Sequence, residues 1–433
     1  MSGLFLSGYQ FSNVNFQKQN RGGFMKDFKF FTQISTSHSS EESLDPPALR
    51  RRLDEISALL PLSGLIVGSY ENKAVFDAVT RKKRPGDPET YLWYNLLSDY
   101  PGQDEHESVI TDRGAGCKKW FGWGEDAQDE VTESFMFSCP NHPEARQKAL
   151  EGLDSLLSRY PFDGVFLDKF RFPSPASGLD LVFSCFCPHC YEKAAAAGLD
   201  LDDVKRELRE WSGNRAGLSG RPDDWMDALL ADKPALRKFL RFRIDSVLDI
   251  VKKVRKVTDA HGVKLAFDLF SPAFAEIVGY DYAELKKYAD WVKPMTYQYA
   301  FGPAGLRLET ISLIEGIQKE FGLSETKLFE RAAEIVPWFT PEKYRALKET
   351  AVPMEWIESE MAASMRLMEG TPVYFGLECV SFPGVIDVKP DQAAALLEAA
   401  LKNNADGTVL SWDLMHMPAE NLRAMRGVYD QRG

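Results

Sequence analysis

Four carboxylates at or near the ends of short apolar runs are the residues of this chain best suited to chemistry. They are Asp168 after Val165-Phe166-Leu167, Asp268 in Phe267-Asp268-Leu269-Phe270, Glu378 after Gly376-Leu377, and Asp413 after Leu410-Ser411-Trp412. Tyr297 and Trp412 occupy comparable positions. Carboxylates at close range raise each other's pKa, so one is held protonated as an acid while another stays ionised. Breaking a glycosidic bond needs that pair: an acid to protonate the leaving oxygen, and a carboxylate to attack the anomeric carbon or activate water. Aromatic rings fit the C–H face of a sugar, and its hydroxyls pair with Asp, Glu, Asn and Arg.

Side chains from such distant parts of the chain meet only if a regular scaffold brings them together. Buried-strand patterns recur at Phe28–Thr36, Ser63–Ser69, Thr90–Leu97, Phe162–Phe170, Val263–Phe270, Trp291–Tyr297, Pro372–Cys379 and Gly407–Asp413. Helical spacing separates them, as at Pro47–Leu60, Pro234–Ala260 and Pro390–Asn403, and a last helix, Pro418–Tyr429, closes the chain. Eight strands alternating with helices predict a (β/α)8 TIM barrel, an α/β fold whose active site lies at the C-terminal strand ends. A doubly wound open sheet is the alternative, but the first strand is not followed by the glycine-rich loop of a dinucleotide fold.

The expected organisation is an N-terminal extension over 1–27 and one barrel over 28–433. Long excursions are expected about 98–140, 171–232 and 298–371, after strands three, four and six. The first carries Trp120 and Trp123, the second Trp211 and Trp225, and the third at least one helix (Leu308–Phe321), the segment Lys327–Phe339 and a helix near Met354–Met368. Long loops on the catalytic face shape the substrate site.

Composition narrows the partners. The 433 residues are 44% hydrophobic, ample for a large core, and the net charge of −12 is spread along the chain. Nucleic acid and anionic membrane surfaces are therefore not expected partners. No stretch reaches the roughly 20 apolar residues of a membrane span, and residues 1–27 lack a signal-like apolar core, so a cytoplasmic protein is expected. Three of the six cysteines crowd into Cys185-Phe186-Cys187-Pro188-His189-Cys190. Three thiols within six residues suit structural zinc, with Cys139, Cys117 or a distant histidine as the fourth ligand; buried thiols are the alternative.

The run Cys139-Pro140-Asn141-His142-Pro143-Glu144 through Phe162-Asp163-Gly164-Val165-Phe166-Leu167-Asp168 to Phe172-Pro173 resembles the strand-four region of bacterial glycoside-hydrolase-like TIM-barrel families. Phe270-Ser271-Pro272 through Val278-Gly279-Tyr280-Asp281-Tyr282 to Asp290-Trp291-Val292-Lys293-Pro294-Met295-Thr296-Tyr297 resembles their strand-five to strand-six passage, and Gly376-Leu377-Glu378 and Leu410-Ser411-Trp412-Asp413-Leu414 their last two strands. The resemblance implies a glycoside hydrolase acting on an oligosaccharide or glycoside, with no cofactor required for catalysis. Asp168 and Glu378 are its implied working pair, Asp168 favoured as nucleophile and Glu378 as acid/base, with the roles exchangeable. Asp268, Tyr297, Trp412, Asp413, Arg171, Trp120 and Trp123 are the implied sugar contacts, and Lys169 and Arg171 are cations that can keep a carboxylate ionised. The chain departs from two family patterns: Leu167-Asp168 stands where Asn-Glu is usual, and Phe166 where an Arg precedes a nucleophilic Asp. Two other functions fit the same residues, a catalytically silent carbohydrate-binding barrel and a lyase or hydrolase holding a divalent metal among Asp168, Asp268 and Glu378. The six histidines are few for the second.

Overall fold

The computed structural model describes residues 28–36, 44–81, 87–117, 120–122, 132–210, 232–320, 322, 324–327, 329, 340–382 and 386–431. Eight parallel strands close into a barrel: β1 (Lys29–Ser35), β2 (Leu62–Gly68), β3 (Glu89–Asn95), β4 (Gly164–Asp168), β5 (Lys264–Phe270), β6 (Trp291–Met295), β7 (Tyr374–Glu378) and β8 (Gly407–Ser411). Each strand neighbours the next in sequence, and β1 pairs with β8 to seal the ring. The fold is a (β/α)8 TIM barrel, and closure leaves no room for the open-sheet alternative.

The strands are apolar on both faces because one face meets the helical ring and the other the barrel interior. Interior positions form an aromatic floor. Phe31, Tyr91, Phe166, Trp291 and Tyr374 pack there, with Phe31 5.0 Å, Phe166 5.6 Å and Tyr374 4.9 Å from Trp291 between ring centroids. The outer faces pack on helices such as Pro234–His261, which opens on a proline and buries Leu236, Phe239, Val247, Val251 and Val254 on one stripe. It ends at Gly262, whose φ of +66° is the left-handed conformation that glycine adopts without penalty.

The third excursion contains helices Leu306–Glu320, Pro341–Glu349 and Met354–Leu367. Residues 1–27, Trp123, Trp211, Trp225 and most of Lys327–Phe339 lie outside the described residues. Among the described residues, no helix is long and apolar enough to cross a membrane.

Candidate active site

Alternate residues of a strand share a face, so the floor residues predict what stands above them. On β1 Phe31 is followed by Gln33, on β3 Tyr91 by Trp93, on β4 Phe166 by Asp168, on β5 Ala266 by Asp268, and on β6 Trp291 by Lys293. All five upper side chains line one cavity at the C-terminal end of the barrel, and Arg171, Tyr297 and Trp412 complete its mouth.

Asp168 is half-buried and held by two N–H donors. Trp93 Nε1 donates to Oδ2 at 3.0 Å, and the backbone N–H of Lys169 donates to Oδ1 at 2.6 Å. Lys169 itself turns away to pair with Asp99 and lies 4.1 Å from the Phe135 ring centroid.

Asp268 sits deeper, within β5. Lys293 Nζ donates to its Oδ2 at 3.0 Å and to Gln33 Oε1 at 2.9 Å, and Ser411 Oγ donates to the same Gln33 oxygen at 3.1 Å. The Asp268 carboxyl is pushed up to about 7 by burial, against the pull of the Lys293 cation and with help from the charge of Asp168. Burial is the strongest single influence on the Lys293 ammonium and disfavours it, but Asp268 and Tyr297 together outweigh it and hold the group above its usual value. Asp268 Oδ1 and Gln33 Nε2 are buried and have no hydrogen-bond partner among the described residues, leaving an acceptor and a donor for a ligand at the cavity wall. Gly376 makes room for this arrangement, because a Cβ there would meet Lys293 Cε at 2.6 Å.

Arg171 is buried between the rings of Phe137 and Phe270, 4.5 Å and 4.3 Å from their centroids, and donates to the carbonyl of Phe172 at 3.0 Å. Tyr297 and Trp412 face each other across the mouth at 6.1 Å.

Two of the carboxylates expected here are engaged elsewhere. Glu378 has the inward phase of β7 but is 0% exposed and does not line the cavity. Its two oxygens accept the backbone N–H groups of Gln298 at 2.6 Å, Tyr299 at 3.0 Å and Ala300 at 2.6 Å, so the segment after β6 is folded over it. Burial still lifts its carboxyl to about 7 against those three donors. Asp413 caps the turn Leu414–His416 by accepting the N–H of Met415 at 2.9 Å, and it too is absent from the cavity wall. Trp120 lies in a strand, Trp120–Gly122, that pairs with Thr132–Ser134. Lys293, Gln33 and Trp93 were not singled out in the sequence; the inward phase set by Trp291, Phe31 and Tyr91 is the signal that marks them.

Beside the barrel, Cys139, Cys185, Cys187 and Cys190 converge, all buried, with their sulfurs within 4.8 Å of one another. Cys139 Sγ is 3.4 Å from Cys190 Sγ and 3.6 Å from Cys187 Sγ. Four sulfurs about 2.3 Å from a tetrahedral zinc stand about 3.8 Å apart, a spacing within the 4.8 Å span of this cluster, which suits it to a metal such as zinc. N–H groups already point at the sulfurs: Ile110 N to Cys185 at 3.3 Å, Asn141 N to Cys139 at 3.3 Å, and Asn141 Nδ2 to Cys190 at 3.3 Å.

No protein-family model matches the chain, and no curated protein sequence matches it. Solved structures do. The glycoside hydrolase domain of PgaB (BpsB) from Bordetella bronchiseptica matches with a TM-score of 0.54 at 14% identity, over 92% of this chain and 98% of that one. The catalytic domain of β-amylase from Paenibacillus polymyxa matches with a TM-score of 0.52 at 10% identity, over 95% and 99% of the two chains. The chain shares the barrel architecture of glycoside hydrolase domains.

Proposed function

We propose that this chain is a glycosidase that uses Asp168 and Asp268 as its two carboxylates. The observation that carries the reading is the presence, in one cavity, of an outer carboxylate fixed by Trp93 and a deeper one whose carboxyl stands at about 7. Asp268 delivers a proton to the leaving oxygen from Oδ1, the oxygen with no partner. Lys293 then stabilises the carboxylate that remains. Asp168 attacks the anomeric carbon or takes a proton from the attacking water. Gln33 Nε2 and Arg171 offer donors to sugar hydroxyls, and Tyr297 and Trp412 offer ring faces. Glu378 acts in this reading as a positioning residue, which replaces the acid/base role expected from sequence.

A panel of aryl glycosides and oligosaccharides, assayed with wild type, Asp168→Asn and Asp268→Asn, tests the assignment. Each substitution is expected to cost roughly 10²–10⁴-fold in kcat, the range typical of positioned acids and bases. For Asp268→Asn, substrates with good leaving groups are expected to lose least. Turnover that survives both substitutions would overturn the reading. Sugar affinity without any turnover would favour a silent binding barrel instead.

We also infer that the four-cysteine cluster holds zinc in a structural role. Burial, sulfur spacing and the N–H donors support it. Metal analysis of the purified protein is expected to give one zinc per chain, lost when Cys187 and Cys190 are both replaced by serine.

A further inference from the structure

Arg243 is among the largest fully buried side chains of the described residues, with 0% exposure. It projects from the helix Pro234–His261 onto the ring of Phe172, 4.4 Å from its centroid. None of its three guanidinium nitrogens has a hydrogen-bond partner among the described residues. A guanidinium does not shed its charge in a protein, and a buried charge without a counter-charge is among the costliest features a fold can carry. Its helix packs directly on the cysteine loop: the Phe239 ring, 5.9 Å from the Arg243 guanidinium, stacks at 5.3 Å on Phe186 between Cys185 and Cys187, and Ser246 Oγ accepts the Asn141 amide that also donates to Cys190 Sγ. With neutral thiols in that loop, the Arg243 charge would face only the rings of Phe172 and Phe239 among the described residues.

We infer that Arg243 is the counter-ion of a dianionic tetrathiolate centre, an assignment that rests on the zinc reading above. Four thiolates around a divalent ion leave two net negative charges inside the protein. Arg243 answers one of them from the helix side. The other side is served indirectly: Lys193 Nζ donates to Asn141 Oδ1 at 2.8 Å, which polarises the same amide whose Nδ2 donates to Cys190 Sγ. Lys193 and Arg146 share the single Asp249 carboxylate, at 3.4 Å and 2.8 Å, which leaves one net positive charge on that side of the centre. Outer partners of this kind tune how tightly a metal is held. Phe172 links the centre to the cavity, since its ring lies under Arg243 and its carbonyl accepts from Arg171.

Competition between the zinc-loaded protein and a colorimetric zinc chelator reads the effect. Arg243→Met is expected to weaken zinc retention by 10- to 100-fold, the loss typical of a removed outer partner, and Arg243→Lys to recover part of it. The sign of the melting shift is a second readout. Met is expected to lower the melting temperature of loaded protein, where it removes a counter-ion, and to raise that of protein stripped by chelator, where it removes an unpaired charge. Unchanged zinc retention in Arg243→Met, with higher melting temperatures in both states, would overturn the inference while leaving the zinc site intact. Purified wild type that neither contains nor takes up zinc would instead overturn the zinc reading itself. Should Arg243→Met not fold, a crystal structure of loaded wild type decides: a guanidinium nitrogen hydrogen-bonded to Cys185 or Cys190 Sγ is the expected result, and one directed to any other acceptor refutes it.

Discussion

Asp268 and Lys293 titrate against each other, and that sets a testable pH dependence. With the Asp268 carboxyl at about 7, the acid loses its proton as pH rises through neutrality, so kcat/KM is expected to fall on the alkaline side with a limb near that value. Lys293 lowers the Asp268 pKa, so Lys293→Met is expected to move the limb to higher pH; a pH–rate profile of the two proteins checks the direction. Glu378 gives the opposite kind of prediction. Gln at this position keeps one acceptor oxygen but brings an NH₂ against amides that already donate, so Glu378→Gln is expected to destabilise by about 2–4 kcal/mol, in line with buried donors left unsatisfied. Denaturant titration measures that loss. Azide is expected to restore no activity to Glu378→Ala, because Glu378 does not reach the cavity; recovery would return it to the working pair expected from sequence.

At the scale of elements, the strands were legible because burial on both faces leaves an unmistakable apolar run. Lys264–Phe270 and Trp291–Met295 appear within two residues of their expected bounds. The inward register lies in the same runs, since Asp168 and Asp268 follow Phe166 and Ala266 by two, but choosing residues by strand end alone passes over Gln33, Trp93 and Lys293, which share it. What the sequence did not carry is how a loop folds back. Glu378 and Asp168 look alike as strand-end acids, and only the three amides of Gln298, Tyr299 and Ala300 separate them. Those contacts span about 80 residues of sequence and obey no local periodicity. Asp413 was misplaced for a similar reason, because Asp is also a good cap for a following turn. The fourth cysteine was among the named options, yet selecting Cys139 needed the second and first excursions to meet. Gly376 offers an element-level test: Gly376→Ala on β7 would push Lys293 aside, and a cost of about 1–3 kcal/mol is expected from such overpacking, together with a lower kcat. Thermal melting and steady-state assays read the two effects.

Over the whole molecule, buried carboxyls shape the response to pH. Asp268, Glu360 and Glu378 all stand at about 7 through burial, above the values they have in the unfolded chain. The folded state therefore binds more protons than the unfolded one between about pH 4.5 and 7, and stability falls as pH rises through that window. Melting temperatures across it are expected to decline; a steady rise would contradict these assignments. The cysteine cluster has a consequence for the search the chain makes as it folds. Cys139 and Cys190 lie 51 residues apart, and the segment between them contains the helix Pro143–Arg159, β4 and Asp168. A metal that fastens its ends removes part of the wandering freedom of the denatured segment. With zinc bound there, the strand bearing the outer carboxylate would belong to a loop with a clasp, and chain refolded with zinc present is expected to regain the native barrel sooner than chain refolded in chelator.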